Sequence, residues 1–143
     1  ELRGLQGLNS LLGASQANIV FREVAEIFQT ELKNAGGDLH FFHRGGGDLG
    51  VVAVNVDPKR LQAVAEVVAK KVRSLPETNE MIRQVLRERN LKDIPAAKPG
   101  EPEGLFFDTA WAPVHREIPV GDSFKVVEAW NWEKRDRRKN GGG

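Results

Sequence analysis

The hydrophobic positions of this chain follow two periods, and the switches between them mark its elements. Leucines at 2, 5, 8, 11 and 12 in ELRGLQGLNSLLG share one face of a helix predicted over residues 1–13, weakened by Gly4 and Gly7 and stopped by Gly13. Val20, Val24, Ile27, Phe28 and Leu32 then recur close to every 3.6 residues, which predicts a second helix from about Gln16 to Asn34. After Asn34-Ala-Gly-Gly the period changes. Leu39 to Arg44 mixes aromatic and apolar residues with polar ones, and Val51 to Val56 is β-branched or small except at Asn55. Two strand-like runs joined by Gly45, Gly46, Gly47 and Asp48 read as a β-hairpin, because glycine adopts positive φ without penalty. The unbroken apolar second run suits a strand covered on both faces.

Helical periodicity returns at Asp57-Pro58, with Asp as N-cap and Pro at the first helical position. Leu61, Val64, Ala65, Val68 and Val72 carry that helix to about Arg73, and Pro76 and Glu77 open a shorter surface helix with Met81, Ile82, Val85 and Leu86. Leu91 to Gly104, rich in Pro, Gly, Ala and charge, reads as a loop and as the most mobile segment. Leu105 to Ala112 (LFFDTAWA) reads as another strand. Asp122 would cap a last helix with Phe124, Val127 and Trp130 facing inward, before a frayed Gly141 to Gly143 tail. This order builds an α/β class fold, an α+β sandwich with helices laid over a mostly antiparallel sheet. Three strands are few for so many helices, so a further strand is expected at the abrupt start of the chain.

At 143 residues the length suits one domain, taken as residues 1–140 with 75–104 as an extended connection, and 40% apolar residues suffice for a core. Charge changes the picture little: 21 basic residues balance 20 acidic ones, so no overall field points to nucleic acid or membrane. The basic excess is local, at Lys134, Arg135, Arg137, Arg138 and Lys139, where a solvated helix end complementing the dipole is the plain reading. The absence of cysteine excludes disulfides and thiolate metal sites and fits a reducing compartment. No apolar run reaches membrane-spanning length and no signal peptide is visible, so a soluble, cytoplasmic chain is expected. It lacks an initiator Met, which suggests a piece cut from something longer.

The candidate chemistry sits at the hairpin tip. Side-chain-free residues let backbone approach a phosphate closely, and a carboxylate beside them can hold a metal; a tight turn with a solvated Asp is the plain alternative. His40, His43 and His115 show no metal-ligand grouping, and Trp111, Trp130 and Trp132 are most simply core or interface aromatics.

In their order these motifs resemble the GGDEF family, the diguanylate cyclase domains of bacterial signalling. That family carries D-x-D-x-F-K-x-I-N-D-x-x-G-H, a helix, a hairpin with GGDEF at its tip, and a late A-K-x-x-G-R helix. Here ELRGLQGLNSLLGA matches the first motif in length, with Leu5 at the Phe position and Leu8, Asn9 and Gly13 kept. GGGDL stands where GGDEF would, and AWNWEKRDRRKN offers Lys134 and Arg138 at the basic positions. The resemblance implies a nucleotidyl-cyclase or palm-like sheet whose first strand precedes residue 1. It implies phosphoryl transfer between two GTP molecules, giving cyclic di-GMP, with carboxylates holding Mg2+ and two domains meeting as a homodimer. Glu1 and Asp48 would be the metal-binding and catalytic acids, Asn9 and Asn18 the guanine contacts. Gly45, Gly46 and Gly47 would admit phosphate, with Lys134 and Arg138 behind it.

Several positions depart from the pattern. Arg3 replaces the second acid of the first motif, Gln6 the phosphate-side Lys, Ala14 the His and Asn18 a guanine-reading Asp. Ala35-Gly-Gly-Asp38 lacks the Arg of the product-inhibition motif. Aligned residue for residue, Asp48 takes the place of the metal-binding Glu and Leu49 that of the buried Phe. Shifted by one, Asp48 is the third-position acid and Leu49 replaces the Glu. The first alignment keeps both an apolar anchor and a carboxylate and is preferred; in either, one acid is lost. The expectation is a degenerate domain that has lost catalysis. It would bind GTP or a related guanine nucleotide, or regulate through a signalling partner. An active diguanylate cyclase and a pure interaction scaffold, using residues 75–104 or the last helix, are the alternatives. Neither a nucleic-acid partner nor membrane insertion is expected.

Overall fold

The computed structural model describes residues 1–112 and 120–139. Elements follow in the order β1 (Leu2–Arg3), α1 (Leu5–Leu12), α2 (Ala14–Asn34), β2 (Asp38–Gly45), β3 (Asp48–Val54), α3 (Pro58–Arg73), α4 (Leu75–Thr78), α5 (Glu80–Glu88), β4 (Phe106–Phe107) and α6 (Val120–Lys139). The fold is mixed α/β with two small antiparallel sheets, β1–β4 and β2–β3. His115, the Gly141–Gly143 tail and the side chains of Asp122, Phe124, Trp130 and Trp132 lie outside the described residues.

The core forms where the periodic stripes of the helices meet. Leu8 and Leu11 of α1, Ala17, Val20 and Val24 of α2, Val68 and Val72 of α3 and Ile82 and Leu86 of α5 are buried together with Leu2, Ile94, Leu105 and Phe107. Full burial of such a side chain is worth about 1.5–3 kcal/mol, so this cluster, not the hairpin, carries most of the stability. The capping signals act as read: the Asp57 carboxylate accepts from the Lys59 amide at 2.9 Å, and Pro58 opens α3. The short helix expected from Pro76 is instead two, α4 and α5. They break at Asn79, whose side chain caps α5 by accepting from the Ile82 amide at 3.0 Å.

Three further expectations are corrected. Leu2 does not continue a helix. It pairs with Phe107 in β1–β4, and α1 begins only after Gly4, whose φ of +94° ends the strand. A Cβ on Gly4 would stand 2.3 Å from the Gly104 carbonyl oxygen, and one on Gly7 2.1 Å from that of Pro95. These glycines therefore let α1 lie against the 94–105 segment. That segment is irregular, as read, but anchored: Ile94 is fully buried and its carbonyl accepts from the Gly104 amide at 2.8 Å. The expected strand over Leu105–Ala112 contracts to Phe106–Phe107 because its partner is only two residues long.

The hairpin has the expected strands but different limits. Gly46 and Gly47 make the turn, β3 already starts at Asp48, and the register slips by one residue between His43 and Gly45. Its covering is one-sided. Phe41 meets Phe28 of α2 edge to face at 6.0 Å and His43 stacks obliquely on Phe21 at 5.2 Å, whereas Val54 is 46% exposed. The second run is thus not buried on both faces.

Candidate functional site

The hairpin tip lies against the start of the chain. The Leu2 amide donates to the Gly47 carbonyl at 2.8 Å, and a Cβ on Gly47 would stand 2.6 Å from the Leu2 carbonyl oxygen. β1 therefore has the tip on one side and β4 on the other, where the Asp108 amide donates to the Glu1 carbonyl at 2.9 Å and the Glu1 nitrogen to the Asp108 carbonyl at 2.5 Å. Burial pulls the α-amino group of Glu1 down to about 6, while the carboxylates of Glu1, Asp48 and Asp108 act to raise it. Asp48 is thus within electrostatic reach of the chain start. It is half-buried on β3 rather than free at the tip.

Beside this joint is a cluster of paired charges. Asp108, 6% exposed, receives a two-pronged grip from Arg138, with Nη1 on Oδ1 at 2.6 Å and Nη2 on Oδ2. Arg3 Nε stands 3.6 Å from the same carboxylate, and Arg3 Nη1 donates to Glu1 Oε1 at 2.7 Å. Lys134 donates to the Thr109 carbonyl. The Phe106 ring lies 4.5 Å from the Arg138 guanidinium carbon and 4.7 Å from that of Arg73, itself bound to Asp93 at 2.9 Å. Nearer the tip, Arg44 meets Glu128 of α6 at 2.5 Å.

Of the residues singled out from sequence, the fold gathers Glu1, Gly47, Asp48, Lys134 and Arg138 into one neighbourhood. Gly45 and Gly46 complete the exposed bend with positive φ. Asn9 and Asn18 are exposed on α1 and α2; the Asn9 carbonyl accepts from the Gly13 amide at 2.8 Å, and neither side chain bonds to Glu1 or Asp48. For Mg2+ the donor set is poor. The Glu1 carboxylate is held by Arg3, and the described residues contain no group of three or more His, Asp or Glu arranged around a cation. Sequence reasoning missed Asp108. Its signal was present, since it is the only acid in the apolar run LFFDTAWA.

Among the described residues, hollows also lie away from this joint. One of about 200 Å3 lies between α2 and the hairpin, lined by Phe21, Phe28, Phe41, Phe42, His43 and Leu49; it is small for a nucleotide. Another, about 420 Å3, lies over Ile27, Lys70, Lys71, Leu75 and Thr78. Neither is lined by Glu1, Asp48, Asn9 or Asn18. Comparison with protein-family models, curated proteins and solved structures gives no match. Among the described residues, no helix is long and apolar enough to cross a membrane.

Proposed function

We propose that this chain is a degenerate GGDEF-type domain with a palm-like sheet, acting as a guanine-nucleotide-binding or regulatory module in cyclic di-GMP signalling without catalysis. Element order supports the fold reading: setting the small helices aside, it is β-α-β-β-α-β followed by a helix. The sheets β1–β4 and β2–β3 are separate, and the hydrogen bond from the Leu2 amide to the Gly47 carbonyl brings the hairpin tip beside β1, where a palm-like sheet would need it. Leu49, which packs on the core, favours the alignment that puts it at the buried Phe position and Asp48 at the metal-binding acid.

The observation that carries the loss of catalysis is the pairing of the charges that the reaction would use. Glu1 is bound by Arg3, Arg138 by Asp108, and Lys134 by a backbone carbonyl. Two-metal phosphoryl transfer needs carboxylates available to cations and cations available to phosphate. In calorimetric titration with GTP and Mg2+, the reading expects weak binding, preference for GTP over ATP, and no product. Turnover to cyclic di-GMP that disappears in Asp48→Ala would instead establish an active cyclase, and absence of any nucleotide binding would leave only the scaffold role.

A further inference from the structure

We propose that the Asp108 carboxylate is an internal pseudo-ligand, filling an anion site of Arg138, Arg3 and Lys134 that takes a nucleotide's phosphate when the carboxylate is displaced. For the identity of the nucleotide, this rests on the reading above.

The geometry is that of ligand recognition. A guanidinium fork matches carboxylate and phosphate equally, offering two parallel N–H donors to two oxygens. Arg138 makes this grip on Asp108, and its guanidinium carbon lies over the Phe106 ring, 4.5 Å from the centroid, a cation–π contact that supports its placement. Arg3 reaches the same carboxylate from β1, and Lys134 stands one turn before Arg138 on α6 with its ammonium on the next carbonyl, that of Thr109. Two guanidiniums from two elements thus converge on the Asp108 carboxylate, with the Lys134 ammonium on the neighbouring Thr109 carbonyl, and the other acid in the group, Glu1, is held by Arg3. The chain is irregular beyond Phe107, so backbone withdrawal of Asp108 would cost the two hydrogen bonds it exchanges with Glu1 and no ladder beyond them. An incoming phosphate would compete with Asp108 for Arg138, and the site would be self-inhibited at rest.

The test uses inorganic triphosphate as probe, titrated calorimetrically into the wild-type chain, Asp108→Ala and the double variant Asp108→Ala/Arg138→Gln. The single variant is expected to bind at least tenfold more tightly than wild type and to melt higher as the probe is added, through mass action on the folded state. Both gains should vanish in the double variant. Unchanged affinity in a folded single variant, or a gain that survives loss of Arg138, overturns the proposal. Should Asp108→Ala not fold alone, Asp108→Asn, which keeps the volume and removes the charge, is expected to show a gain of severalfold; no gain there is equally fatal. GTP titrated in parallel separates the two readings: equal affinity for GTP and triphosphate contradicts the guanine site and leaves the pseudo-ligand standing.

Discussion

The two sheets of this molecule are held by opposite means. The β2–β3 hairpin pairs along seven or eight residues per strand, yet only one face is packed and Val54 is left 46% exposed. The β1–β4 ribbon pairs two residues against two, yet it contains Leu2 and Phe107 of the core and ends on the buried Asp108. Local pairing builds the first; long-range packing and ion pairing build the second, joining residues 107 positions apart. Strand length is thus a poor guide to where stability resides, because each buried side chain or broken buried ion pair outweighs several solvent-facing rungs.

Substitutions can break this contrast in graded steps. The largest effect is expected at the ribbon. Asp108→Ala leaves Arg138 and Arg3 without their shared anion, and breaking a buried pair in this way costs about 3–5 kcal/mol. Denaturant unfolding at neutral pH measures it, and a cost as small as that of a surface pair would mean that the ribbon is not held by this carboxylate. Next comes Gly7→Ala, whose methyl would meet the Pro95 carbonyl at 2.1 Å. Backbone must move to admit it, at a cost of about 1–3 kcal/mol, and the melting temperature should fall accordingly.

On the hairpin side the effects shrink. Gly46 has φ +53° but open space around it, so Gly46→Ala meets only the strain of a left-handed residue, about 1–2 kcal/mol. The smallest shift belongs to Glu128→Gln. It removes a largely solvent-accessible pair with Arg44, worth at most about 1 kcal/mol and less in high salt. If this last variant proved as damaging as Asp108→Ala, the comparison between the two sheets would be reversed.

The same contrast explains what the sequence disclosed. The hairpin, α2, α3 and the capping of α3 were legible because their signals are local: a glycine turn between two strand-like runs, a 3.6-residue stripe, Asp before Pro. The ribbon was not. A two-residue strand has no period, and Leu2 fits the leucine spacing of α1 as well as it fits a strand. Gly4 and Gly7 read as weak points in a helix, whereas their role is close approach to a segment about 90–100 residues later. In the candidate site, the tip glycines, Asp48, Lys134 and Arg138 were picked out from motif order. The residue that binds Arg138 was not: Asp108 stands out as the lone acid in LFFDTAWA, but no spacing links it to a partner 30 positions later.

Both the fold reading and the site depend on the joint between hairpin tip and chain start, where the Leu2 amide meets the Gly47 carbonyl. Native-state hydrogen exchange at that amide tests it most directly. The account predicts that Leu2 is protected to the same degree as the Asp108 amide on the other side of β1. Exchange of Leu2 at the open-chain rate, with Asp108 still protected, would show the tip and the start to be apart and would contradict it.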